Sequence, residues 1–282
     1  MSEKNLEAKL DKLSQTAREH KFWIKSGLLI SSPYITHMHD DIKRGRLNLD
    51  NGSHMSGEEG FDSWAERQSF IFPERIIKEK TVNEEIIYSK ASKFEKHKGK
   101  HLLIIGGGPS TCELDFSKVD SDFIWSTNHF YLNPVVNKLK VDMAMIMGET
   151  DIESKDFLNY RNKFEPMIGF EIHDKWKSFE FDDYNNYFLM HTDFYSKLGS
   201  CVRMIIFACF LGVKKISFVG LDGPSYIIKG QHAFEKGKTS LPSRYSPPIY
   251  EWHYKLFWQY IKIRFAEVEF KNLGYGQEYH QI

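Results

Sequence analysis

Leu102-Leu103-Ile104-Ile105-Gly106-Gly107-Gly108-Pro109-Ser110 decides the reading of this chain. Four apolar residues bounded by glycines read as a strand buried on both faces, as in a parallel sheet. The turn that follows has almost no side chains, so a ligand can come close to its backbone. Its N–H groups could then meet a phosphate or a carboxylate. A plain strand-to-helix turn explains the same residues. No Gly-Lys-Ser/Thr follows, and the glycines lack the Gly-x-Gly-x-x-Gly spacing, so neither a P-loop nor a dinucleotide fingerprint is present.

Outward from this strand the pattern repeats. Strands are predicted at 101–105, 122–127, 141–147, 166–171, 187–191, 215–220 and 267–271, and helices at 152–163, 198–211 and 251–265. Strand alternating with helix predicts an α/β fold with a Rossmann-like, mostly parallel sheet flanked by helices. A ligand belongs at the carboxyl ends of its strands, where the Gly106 turn, Asn128, Gly148 and Asp222 all fall. Residues 99–282 are read as this nucleotide-binding domain and 1–98 as an N-terminal helical and loop extension. Helical spacing covers about the first 25 residues through Leu6, Leu10 and Leu13, and resumes from Pro73 to Lys90. Residues 36–63 are loop-like, and Gly52-Ser53-His54-Met55 resembles a cloning remnant, so His54 is given no role.

The 282 residues hold 38 basic and 38 acidic side chains. That balance gives no footprint for nucleic acid and no polybasic membrane patch. The polar N-terminus is not a signal sequence, and no apolar run reaches the roughly 18 residues of a membrane span. The longest apolar stretch, Met204 to Val213, reads as a buried helix. Cys112, Cys201 and Cys209 lack metal-ligand spacing and are expected as reduced thiols in a cytoplasmic protein.

Three ordered segments resemble the bacterial sialyltransferases of glycosyltransferase family 42 and the related domain of motility-accessory and pterin-diphosphokinase-like proteins. They are Leu103 to Ser110 with Leu114-Asp115-Phe116-Ser117, Phe123 to Tyr131, and Gly199 through Leu211-Gly212-Val213 to Asp222. The resemblance covers roughly residues 101–271. It implies transfer of a sialic-acid-like or other sugar from a nucleotide donor, CMP-linked by preference, to a glycan acceptor in surface polysaccharide synthesis. No obligatory metal or other cofactor is implied. The cytoplasm, or the inner face of the membrane with peripheral association, and a homo-oligomer are compatible with it.

Carried over by residue, the resemblance gives Gly106, Gly107, Gly108, Pro109 and Ser110 to the donor phosphate and ribose. Asn128 and its neighbour His129 fall to the nucleotide, and Gly199 and Ser200 to the cytidine end, with Asp222 closing the third motif. Turn formation by Asn128 and helix capping by Ser200 are the alternative readings. The family's first loop has an asparagine where this chain has Gly107, and its arginine appears here as Lys197, without a bidentate fork. One phosphate-binding tyrosine falls near Pro224, with Tyr226 two residues on, and the other falls on His232. His253, ahead of the last helix, matches the family's general base, with His232 the second candidate for a catalytic role. A histidine in so aromatic a helix also reads as a packing residue.

A second chemistry rests on Glu149 and Asp151, two acids at a strand end that could hold Mg²⁺ against a diphosphate. The preferred reading of the same acids is the cap and first turn of the next helix. An Mg²⁺-dependent diphosphokinase or phosphotransferase and a non-catalytic nucleotide- or glycan-binding member are therefore the alternatives.

Overall fold

The computed structural model describes residues 29–31, 92–147, 150–171, 186–191, 198–227, 230–240 and 247–277. The helical readings over 1–25 and 73–90 and the loop at 36–63 lie outside these residues, as do Lys197 and Glu149.

The core is a parallel sheet of eight strands: β1 Leu29–Ser31, β2 His101–Ile105, β3 Phe123–Thr127, β4 Met143–Ile146, β5 Met167–Glu171, β6 Tyr187–His191, β7 Lys215–Val219 and β8 Glu269–Asn272. Their order is β1-β6-β5-β4-β3-β2-β7-β8, and every pairing is parallel. The seven predicted strands are all present, and the short edge strand β1 is the addition. Side-chain alternation divides the core in two. Leu102, Ile104, Trp125, Met143 and Phe218 face one layer, while Leu103, Ile105, Ala144, Ile146 and Val219 face the other.

The first layer is covered by α2 (Ser200–Phe210) and α4 (Pro247–Arg264). Helix α2 is buried from Ser200 to Cys209, which is why its sequence is apolar all round. Helix α4 turns Tyr250, Tyr254, Phe257, Trp258 and Ile261 inward, and the Tyr254 hydroxyl donates to the Leu221 carbonyl at 2.9 Å. The second layer is covered by α1 (Lys155–Phe164) and by 3₁₀ turns at Phe130–Leu132 and Val136–Lys138. Ser154 caps α1, accepting from the Phe157 N–H, and Glu165 ends it at φ 51°, in the left-handed region.

The sheet does not stop at residue 99. A 3₁₀ helix at Ser92–His97 sets Phe94 edge-on to Trp125, Phe188 and Phe207, and β1 pairs with β6. A division at 98/99 therefore marks a change of sequence pattern, while parts of the preceding segment pack into the same core.

Strand order fixes where a ligand can enter. From β2 the chain builds outward through β3, β4, β5 and β6, then returns to lay β7 against the other edge of β2. Strand order reverses between β2 and β7, so the loops at their carboxyl ends flank the switch point of the sheet. The quoted glycine turn and the Gly220-Leu221-Asp222 turn are its two lips.

Candidate functional site

The glycine turn is welded to its surroundings. The Gly106 N–H donates to the Val219 carbonyl at 2.8 Å and the Gly108 N–H to the Gly220 carbonyl at 2.9 Å. The Ser110 N–H donates to the Asp222 carboxylate at 3.0 Å. Pro109 has no N–H. The amides of Gly106, Gly108 and Ser110 thus have partners within the protein. The glycines are required by close packing. A Cβ on Gly106 would sit 2.6 Å from the Cys201 sulfur and from the Gly220 carbonyl oxygen, and one on Gly108 2.5 Å from an Asp222 oxygen. Gly220 itself has φ +72°, and a Cβ there would lie 2.2 Å from the Thr111 hydroxyl.

Asp222 and Ser110 hold the two lips together. Asp222 is fully buried, and accepts from the Ser110 hydroxyl at 2.5 Å, the Ser110 N–H and the Tyr275 N–H at 3.1 Å. The Ser110 hydroxyl also accepts from the Gly220 N–H at 3.1 Å. Burial pushes the Asp222 carboxyl above the usual carboxylate range, against the pull of the Ser110 and Tyr275 donors. Both residues were expected to touch the donor. In the structure they tie the glycine turn to the Gly220–Asp222 turn.

Of its two sequence readings, Asn128 shows the turn-forming one. It sits at φ 50° after β3, and its Oδ1 accepts from the Met147 N–H at 2.9 Å, a turn-forming role. The opposite end of its carboxamide makes no bond to another described residue, which leaves two donors at the strand end. Capping by Ser200 is corrected: Gly199, at φ +82°, is the N-cap of α2 and Ser200 is the first helical residue. The Ser200 hydroxyl is buried and has no hydrogen-bond partner among the described residues.

A charged group lies across the turn. The loop 230–240 folds back on itself through an antiparallel bridge between Gln231 and Thr239, and the Ala233 N–H donates to the Gly107 carbonyl at 2.8 Å. This sets the His232 ring over Gly107, where a Cβ would meet Nε2 at 2.4 Å. Glu235, three residues on, approaches His232 Nδ1 at 3.9 Å and His129 Nδ1 at 3.3 Å, and pairs with Lys238. The side chains of His129, His232 and Glu235 are 15, 19 and 18% exposed, so the group is sheltered but open to solvent. Burial alone would raise the Glu235 carboxyl, yet Lys238 and the two histidines outweigh it and hold the carboxyl below its usual range. Burial lowers His232, opposed by Glu235 and assisted by His129 and Lys238. His232 Nδ1 accepts from the Phe234 N–H at 3.3 Å, which places the proton of the neutral ring on Nε2.

On the other flank Tyr226 stacks on Tyr275, with ring centres 4.9 Å apart. Tyr226 is 39% exposed. The Glu113 hydrogen bond, with burial, pushes Tyr275 up to about 12. Near the glycine turn the protein thus presents a histidine–carboxylate group and an aromatic pair.

Other predicted residues are placed elsewhere. Position 253 lies in α4 just before buried Tyr254, and its side chain is outside those described. Asp151 is corrected from a helix cap to an Asx-type turn: its Oδ1 accepts from the Glu153 N–H at 3.0 Å, three residues ahead of the true cap, Ser154. Among the described residues no group of three or more His, Cys, Asp or Glu side chains is placed to hold a metal ion. Glu235, Lys238 and Tyr275 escaped the sequence reading. The only local sign was a carboxylate three residues after His232, and Glu235-Lys236-Gly237-Lys238 otherwise reads as a solvated turn.

The fold belongs to the doubly wound α/β class, whose members commonly bind ligands where strand order reverses. No family model matches the chain, and no curated protein does. Among solved structures it is similar to the monofunctional alpha-2,3-sialyltransferase Cst-I from Campylobacter jejuni, at 16% identity and a TM-score of 0.43, over 62% of this chain and 76% of that one. It is also similar to the apo form of alpha-2,3-sialyltransferase from Campylobacter jejuni, at 16% identity and a TM-score of 0.40, over 62% and 75% of the two chains. At such values function has to be argued from this chain's own residues.

Proposed function

We propose that this protein is a glycosyltransferase that moves a sugar from a nucleotide donor, CMP-linked before UDP-linked, to a hydroxyl of a glycan acceptor in bacterial surface-polysaccharide synthesis. The observation that carries this reading is the His129–Glu235–His232 group, with Lys238, laid across the glycine turn at the switch point. A departing phosphate needs hydrogen-bond donors in a sheltered place, and this wall supplies them through the His232 ring and through Lys238, whose charge Glu235 balances. The acceptor oxygen attacks the anomeric carbon, the bond from that carbon to the phosphate oxygen breaks, and the phosphate leaves with the electron pair. His232 offers its Nε2–H to that oxygen, and Asn128 offers its carboxamide donors. The acceptor's proton passes to a general base, the role assigned to His253. The site needs no metal in this scheme.

A thermal-shift panel of CMP, CTP, CDP, UDP, GDP and ATP, each with and without Mg²⁺, tests the proposal. Cytidine nucleotides should raise the melting temperature without Mg²⁺, because a ligand at a hundred times its Kd stabilises the fold by about 2.7 kcal/mol. A response to ATP with Mg²⁺ and none to any cytidine nucleotide would replace this reading with a phosphotransferase.

A further inference from the structure

Away from the crevice, on the face covered by α1, the protein has a groove of about 350 Å³ that the reading above does not use. That volume falls within the usual range of small-ligand sites. Its floor is fixed. The Tyr160 hydroxyl donates to the Leu139 carbonyl at 2.7 Å and accepts from the Val141 N–H at 2.9 Å, and the Tyr131 hydroxyl donates to the Asp151 carbonyl at 3.4 Å. Phe164 leans on the Tyr160 ring at 4.8 Å. One wall is a single face of α1, where Asp156, Asn159 and Lys163 follow at three- and four-residue spacing over about 10 Å of helix. Asn137, on the Val136–Lys138 turn, faces them from the other wall.

Neither Asn137 nor Asn159 spends its carboxamide on another described residue. Two unused amides from separate elements thus meet in one concavity. The apolar side is equally uneconomical for a free surface. Among the described residues the exposed large apolar side chains are Leu132 at 45%, Val135 at 51% and Tyr226, and Leu132 lines this groove.

We infer that this groove is a binding site for a neutral saccharide, separate from the crevice that would hold the nucleotide. Asp156 and Lys163 cancel in charge, so neither an anion nor a cation gains from entering. The rim alternates acceptors with donors, as a ring of hydroxyls requires, since each hydroxyl both donates and accepts. Leu132 offers apolar surface to the C–H face of a pyranose, while Phe164, under the Lys163 ammonium at 4.6 Å, closes the end of the groove. The floor is already hydrogen-bonded, so little ordering remains to be done on binding. The inference does not depend on the transfer reaction, although Tyr131, at 6.3 Å between ring centres from His129, makes the groove a neighbour of the charged wall.

Protein NMR with methyl β-galactopyranoside, methyl β-glucopyranoside, methyl N-acetyl-β-glucosaminide and lactose tests this. At least one sugar should cause saturable amide shifts confined to residues 130–138 and 155–164, with a millimolar Kd. Asn137→Ala with Asn159→Ala, both on accessible side chains, should weaken that binding about tenfold or more, equivalent to about 1.4 kcal/mol, at an unchanged melting temperature. Lactose binding tighter than either monosaccharide glycoside would identify a glycan segment as the occupant. Absence of saturable shifts with all four sugars, or shifts that the double variant leaves intact, would overturn the inference. The CMP response of the double variant should equal that of the parent, so failure here and failure of the nucleotide reading are separately visible.

Discussion

Gly106 and Gly107 are adjacent, yet their contacts assign them different work. A Cβ on Gly106 runs into the backbone carbonyl of Gly220, which β7 holds in place, so something rigid must give. A Cβ on Gly107 meets only the His232 ring, a side chain on a surface loop, and Gly107 has no positive φ to forbid alanine. Gly106→Ala should therefore cost about 1–3 kcal/mol of stability, measured by chemical denaturation, through overpacking. Gly107→Ala should melt close to the parent while losing about tenfold or more in donor binding, because His232 is displaced from its place over the turn. Equal loss of stability in both variants would mean that loop 230–240 is as rigid as the sheet. Gly107→Ala with unaltered donor binding would remove His232 from the site. The glycines were legible in the sequence and their purpose was not. Their amides and their space are consumed by Val219, Gly220 and Asp222, more than a hundred residues further along the chain.

Among the elements, the strands were the most legible part, because a parallel strand buried on both faces leaves a continuous apolar run between glycines and polar residues. Strand β1 escaped, being three residues at a sheet edge. Helix starts were misread by two to four residues, since several polar residues before each helix compete for the cap. At α1 the choice between them has a testable consequence. Ser154 accepts from the Phe157 N–H, while Asp151 closes a turn one step earlier. Ser154→Ala should cost about 1 kcal/mol, within the 0.5–2 kcal/mol range of lost caps, read from urea denaturation. Asp151→Asn keeps an acceptor for the Glu153 N–H and should cost less than half as much, with turnover within a few-fold. Loss of turnover by a factor of about a thousand in Asp151→Asn, with the fold intact, would give this strand end a metal-dependent role.

Across the whole molecule, acid stability turns on histidines that the fold keeps neutral. His97 is 1% exposed, with its Nδ1 against the Phe94 carbonyl at 3.1 Å and its Nε2 accepting from the Trp125 indole at 3.2 Å. That pattern requires the proton on Nδ1 and leaves no room for a second on Nε2. Burial first, opposed by the Phe94 carbonyl and assisted by Lys96, pulls its pKa from 6.5 to about 4. Because the folded value lies below the unfolded one, the unfolded chain binds the extra proton first as pH falls. The neutral ring's contribution to stability is thus intact above about pH 6.5 and is lost progressively down to about pH 4, at a limiting slope of about 1.4 kcal/mol per pH unit. Half-buried Asp142 and buried Asp222, with raised pKa values, work in the opposite sense in acid, so the wild-type curve alone does not isolate His97. Comparison with His97→Gln does, since the carboxylates are common to both chains. The stability difference between the two should shrink steadily from pH 7 to pH 4.5, and the His97 ring resonances of the wild type should stay at their neutral positions until about pH 4. A difference that is flat with pH, or a ring that titrates near 6.5, would mean that His97 is hydrated and that the segment at 92–97 is not sealed onto Trp125. No residue pattern announces this switch, because Ser92–His97 sits in a lysine-rich stretch that reads as a connection. Only the partners it finds across the sheet turn it into part of the core.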